Sequence, residues 1–248
     1  MARKKKNLLK AQKEAAWRTN REDLLRYFDD CNFDPDNFCT IGMDQSTTSF
    51  GVVILDNERN IILQEAIIAK GSKIDNVDMR IRKMFKRMKE ILNMHGEHIF
   101  FAAMEGYSYN SPNQAALSGE VGYSLRNMLF ENDILYLIIP PLRVKKYAAA
   151  LPKENAAIKA DKNVMLKAVY KNYDFDTNIS DIADAFMLAI IANDFVKYVS
   201  SLDEDGVSDL DGDVKKYQLE TLQDLLVNGG LYIDTFYKEI TKIDLPER

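Results

Sequence analysis

Residues 41–56 read IGMDQSTTSFGVVILD: two apolar runs joined by a hydroxyl-rich turn, with Asp44 closing the first run. A carboxylate at the mouth of a buried strand is costly to desolvate unless a positive or hydrogen-bonding group meets it. The stretch therefore points to a backbone nest, a phosphate site or a metal ion.

Outward from it, residues 39–43, 50–56 and 60–69 are three β-like runs rich in Ile, Val and Phe, with DNERN as the turn between the last two. Residues 76–94 place Ile81, Met84, Phe85, Met88, Ile91 and Leu92 on one helical stripe, which reads as core. HIFFAAM, 98–104, is a further buried strand ending at Glu105. A helix over 113–130 precedes the strand ILYLII, 134–139, which Pro140 and Pro141 close. Helical patterns return over 142–150, 160–172 and 180–199. Hairpin-linked strands followed by strands alternating with helices predict a mixed α/β sheet with helices on its faces. That domain spans 39–200, between a basic helical arm (1–38) and a tail (201–248) made of an acidic linker and a helix over 214–240.

Two strands thus end in carboxylates, Asp44 and Glu105. The last core helix, ISDIADAFMLAIIA, carries Asp181 and Asp184 three residues apart, on one helical face. Taken singly, Asp181 reads as a first-turn acid with Ser180 as N-cap, and Glu105 as a strand-end surface acid. Taken together, the four form a candidate site, because clustered carboxylates raise one another's pKa and need cations to stay ionised near neutral pH. Hard oxygen ligands suit Mg²⁺ or Mn²⁺. Two such ions about 4 Å apart serve phosphodiester hydrolysis.

The 248 residues carry a net charge of −5, and this total hides an asymmetry. Arg3, Lys4, Lys5, Lys6, Lys10, Lys13, Arg18, Arg21 and Arg26 crowd the N-terminus, whereas LDEDGVSDLDGD, 202–213, is acidic and reads as a solvated linker. An acidic total leaves room for a nucleic-acid partner, since binding follows the local patch. The charged N-terminus lacks an apolar signal segment, the pattern of a cytoplasmic protein, and no run has the roughly 18 apolar residues of a spanning helix. Cys31 and Cys39 read as free thiols, and His95 and His98, in HGEH, as surface residues.

These motifs resemble the RuvC-type Holliday junction resolvases of the RNase H-like superfamily, over about residues 40–200. IGMDQSTTSFGVVILD looks like their first catalytic hairpin, FAAMEGYSYNSPNQAALSGEVGYSL like the glutamate strand and its helix, and ISDIADAFMLAIIA like the closing helix. The resemblance implies a five-stranded RNase H-like sheet, a homodimer acting on four-way DNA junctions, and Asp44, Glu105, Asp181 and Asp184 as ligands of two Mg²⁺ or Mn²⁺ ions. PPLRVKKYAAA resembles the family's basic segment. It nominates Lys145, and with it Lys162 of IKADKNVMLKAVY, as lysines that neutralise phosphate charge, and Arg143 and Lys146 as phosphate contacts. Gln45 and Ser46 stand where the family has Pro-Gly, and Gly106 where it has glutamine. Tyr107 and Tyr109 flank the place of an aromatic that stacks at the junction. The basic arm and tail resemble those of phage or viral members, which implies a host cytoplasm.

Other readings compete. The same acids suit a broader flap or branch nuclease or an RNA–DNA hybrid nuclease, and the fold suits a non-catalytic junction-binding protein. GMDQSTTS also resembles the phosphate-binding hairpin of actin-like-fold kinases, though the chain is short for two lobes.

Overall fold

The computed structural model describes residues 2–68, 77–106, 112–148, 162–203, 207–210, 214–228 and 230–231, with backbone alone at 2–11, 112–117, 162, 228 and 230–231. The chain runs α1 (Ala2–Asp30), β1 (Cys39–Gln45), β2 (Ser49–Asp56), β3 (Ile61–Ile68), α2 (Val77–His95), β4 (Ile99–Glu105), α3 (Pro112–Glu131), β5 (Leu135–Ile139), α4 (Pro141–Tyr147), α5 (Lys162–Tyr173), α6 (Ser180–Ser200), α7 (Lys216–Asn228) and β6 (Gly230–Leu231). A single 3₁₀ turn, Gly96–His98, links α2 to β4 and leaves His98 exposed. The strand order is β3-β2-β1-β4-β5-β6. The β1–β2 and β2–β3 pairs are antiparallel, and β1–β4 and β4–β5 are parallel. The first five strands make the mixed sheet flanked by helices that was expected.

Two expectations need correction. Within the tail read as helix over 214–240, the helix runs Lys216–Asn228, and Gly230–Leu231 pairs antiparallel with Leu137 and Ile138 as a sixth strand; residues 232–240 lie outside the described residues. The stretch read as a solvated linker is pinned where it is described. Leu202 bridges Ser208, both are buried, and Asp203 Oδ1 accepts the Val207 amide at 2.7 Å. The sixth strand comes from a contact distant in sequence, which local composition does not encode.

Alternation along the strands divides the interior into two cores, because successive side chains point to opposite faces. Ile41, Met43, Val52, Ile54, Ala102 and Met104 face α2 and α3, where Met84, Met88 and Ile91 fill the methionine stripe. Val53, Leu55, Phe101, Ala103, Leu135 and Leu137 face α6, around which α1, α4, α5 and α7 pack. Of the side chains described in α1, those of its second half join this core. Residues 12–15 are exposed, whereas Leu24, Tyr27 and Phe28 are buried and Arg21 donates to the Leu202 carbonyl at 2.8 Å.

Helix α6 is apolar nearly all round, as a helix buried against a sheet must be. It lies unusually close to the strands. A methyl group on Gly42 would collide with the Ala185 carbonyl and the Ala189 amide, and one on Gly51 with the Asp181 carbonyl. Thr40, one pleat before Gly42, donates its hydroxyl to the Ala189 carbonyl at 3.2 Å. A glycine inside a strand marks such a close backbone approach. Among the described residues no helix is long and apolar enough to cross a membrane, and Cys31 and Cys39 are free thiols.

Candidate active site

The close seating of α6 decides where its acids end up. Thr40, Gly42 and Asp44 lie on the α6 face of β1, and parallel pairing sets Gly42 beside Ala103 and Met43 beside Met104 of β4. Asp44 and Glu105 therefore finish neighbouring strands at the same edge and on the same face. Gly51, across from Asp44 in the β1–β2 ladder, lets the first turn of α6 settle on that edge with Asp181 and Asp184.

The electrostatics record this convergence. Burial first, then the charges of Glu105, Asp184 and Asp181, push the Asp44 carboxyl well above the usual carboxylate range, and a hydrogen bond with Glu105 adds to the shift. Glu105 is raised by burial and pulled back by that hydrogen bond and by the Lys145 charge. Such a pair shares a proton. Asp181 is held separately: Ser49 Oγ donates to its Oδ2, and Ser180 Oγ donates to its Oδ1 at 3.1 Å. Ser180 is therefore the first residue of the helix and a partner of Asp181; the N-cap position falls to Ile179. Among the described residues no three His, Cys, Asp or Glu side chains are already gathered in one coordination sphere. Asp44 and Glu105 are hydrogen-bonded to one another and Asp181 accepts from two hydroxyls instead, contacts that offset part of the repulsion between like charges.

The nominated basic residues fare differently. Lys145, half-buried on α4, is near enough to act on Glu105, while Lys146 is exposed. Arg143 pairs with Asp224 of α7 at 2.5 Å. Lys162 opens α5 by its backbone, but its side chain lies outside the described residues, as do Tyr107 and Tyr109 entirely.

Five further residues shape the site. Gly42 and Gly51 admit the helix, and Ser49 orients Asp181. Gln45 Nε2 donates to the Glu105 main-chain oxygen at 2.6 Å, tying the ends of β1 and β4 together. The amide of Gly106 donates to the Ile139 carbonyl at 2.8 Å and ties β4 to β5 in the same way. Two departures from the family pattern, Gln45 and Gly106, thus brace the strand ends that carry the acids. A glycine in each β-run was the available signal for the first two; Ser49 and Gln45 carried none, because their partners lie on other elements.

No protein-family model matches the chain, and no curated protein matches it in sequence. Among solved structures that match is Thermus thermophilus RuvC in complex with a Holliday junction substrate, at 18% identity and TM-score 0.49, covering 62% of this chain and 92% of that one. Another is a Thermus thermophilus RuvC structure, at 19% identity and TM-score 0.48, with the same 62% and 92% coverage.

Proposed function

We propose that the chain is a divalent-metal-dependent endonuclease that cuts branched DNA, four-way junctions above all, as a homodimer. The observation that carries this reading is the convergence of Asp44, Glu105, Asp181 and Asp184 at one sheet edge, with Asp44 pushed up by burial and then by its three carboxylate neighbours. Such an excess of buried negative charge is unfavourable unless a cation completes it. The donor set fits Mg²⁺ or Mn²⁺, since every group in it is a hard oxygen.

Asp44 and Glu105 would hold the cations, with Asp181 and Asp184 completing the set from the helix. When bound, the metal supplies Lewis-acid stabilisation of phosphate and leaving-group charge. The remaining work belongs to the chain. Asp44 and Glu105 give up their shared proton on loading, and Ser49 keeps Asp181 aimed at the edge. Lys145 offsets negative charge that builds on the phosphate. Lys146 and the basic face of α1 hold backbone phosphates, a sequence-independent attraction that weakens with salt. Hydrolysis leaves a 5′-phosphate and a 3′-hydroxyl. A two-fold pair of such sites matches the pseudo-symmetry of a junction.

The test compares a labelled immobile four-way junction with matched duplex and flap, in Mg²⁺, Mn²⁺ or EDTA, with Asp44→Asn as control. Nicks in opposed arms that need metal and Asp44 are expected. Equal cutting of flaps would replace junction resolution with general debranching. Tight binding without cutting in any metal would leave an architectural protein on a nuclease fold.

A further inference from the structure

Helix α4 has seven residues, too few to hold its own conformation, yet it carries Arg143, Lys145 and Lys146. Its seat is set from outside. Tyr147 is fully buried, and its hydroxyl donates to Asp194 Oδ2 at 2.7 Å. Asp194, buried midway along α6, is gripped on its other oxygen by Arg59 at 2.5 Å. Arg59 projects from the β2–β3 turn with a positive φ of 68°, a conformation that costs a branched-Cβ-free side chain about 1 kcal/mol. The Tyr147 carbonyl accepts from Gln218 Nε2 of α7 at 3.3 Å, and the same amide reaches the Tyr173 hydroxyl of α5 at 2.9 Å. Asn172 Nδ2 donates to the next carbonyl, Ala148, at 3.0 Å. Near the other end of α4, Arg143 pairs with Asp224 of α7.

Arg143 and Tyr147 are four residues apart and share one face of α4. Lys145 lies between them, about 200° round the helix from each, on a helix that begins at Pro141, two residues after Ile139, the β5 neighbour of Glu105. Slippage of α4 by one residue would turn Lys145 away by roughly 100°. We propose that Tyr147, Asp194, Gln218 and Asp224 form a positioning network that locks the rotation of α4 and so holds Lys145 against Glu105. Helix α7, from outside the family-like region, thereby becomes a working part of the acid site, and Arg143 serves as a pin. The inference rests on the reading of Glu105 as a site residue.

The test uses the full chain with Tyr147→Phe, which removes one hydroxyl, and Asp224→Asn, which is a surface change. Covalent labelling with an amine-reactive acylating reagent, read by peptide mass spectrometry, gives the Lys145 to Lys146 ratio without DNA or metal. Lys145 reacts more slowly in the parent, and the ratio rises at least about threefold in both variants as α4 loosens. Single-turnover cleavage of the junction at saturating enzyme falls about tenfold in Tyr147→Phe with junction affinity within about twofold, and Lys145→Ala/Tyr147→Phe is no slower than Lys145→Ala alone. An unchanged labelling ratio in both variants, or defects that add, overturns the proposal. If the parent cuts no branched DNA in any metal, the functional reading fails, and the labelling ratio still decides the positioning one.

Discussion

Helix α6 carries aspartates in two kinds of company. Midway along it, Asp194 is buried at 2% exposure, and burial raises its carboxyl while Arg59, Tyr147 and Lys197 all pull it back. At the N-terminal turn, Asp181 and Asp184 face Asp44 and Glu105, and there the neighbours of Asp44 push in the same direction as burial. One side-chain type on one helix thus serves two ends. Where charges cancel, a buried carboxylate is architecture; where they accumulate, burial and repulsion raise the carboxyl together.

The comparison breaks first at Asp44→Asn. Cleavage is expected to fall by about a thousandfold or more, in line with loss of one transition-state contact, while the metal-free melting temperature holds or rises because repulsion is relieved. A fall in both would make Asp44 a structural residue like Asp194. Asp194→Ala should do the reverse at the level of the fold. It strands Arg59 and removes the Tyr147 acceptor, for a loss of about 3–5 kcal/mol in denaturant unfolding. Gly42→Ala sits between the two. Its methyl meets the α6 backbone, so a destabilisation of about 1–3 kcal/mol is expected, with a larger loss of cleavage as the helix carrying Asp181 and Asp184 lifts from Asp44.

The smallest effect sharpens the contrast by pH. Asp44 holds its proton more tightly folded than unfolded, so its contribution to stability is fully present below its ordinary value of 3.8 and is lost as pH rises through the raised one. Metal-free protein should therefore melt at a lower temperature as pH rises across the weakly acidic range, and Asp44→Asn should flatten that slope. A slope unchanged by the substitution would place the titrating group elsewhere.

Much of the fold was legible. Apolar runs rich in Ile, Val and Phe announced β1 and β2, and HIFFAAM announced β4, to within a few residues, and the methionine stripe of α2 lies in the core as read. Asp44 and Glu105 stood out because an acid at the end of an apolar strand is an anomaly that local sequence displays by itself. The tail did not read so clearly: α7 is amphipathic, but its partners are spread over α1, α4 and α6. Arg143 looked like a free cation in PPLRVKKY, because its partner Asp224 is 81 positions away.

By itself, then, the sequence determined which segments become strands and helices and which carboxylates stand at their ends, since these follow from short-range periodicity and burial. Tertiary structure alone decided how near α6 approaches β1 and β2, which acids are pressed together, and which, like Asp194, are neutralised. Those outcomes depend on distances between side chains far apart in the chain, and electrostatic energy varies too steeply with distance and burial for residue spacing to reveal it.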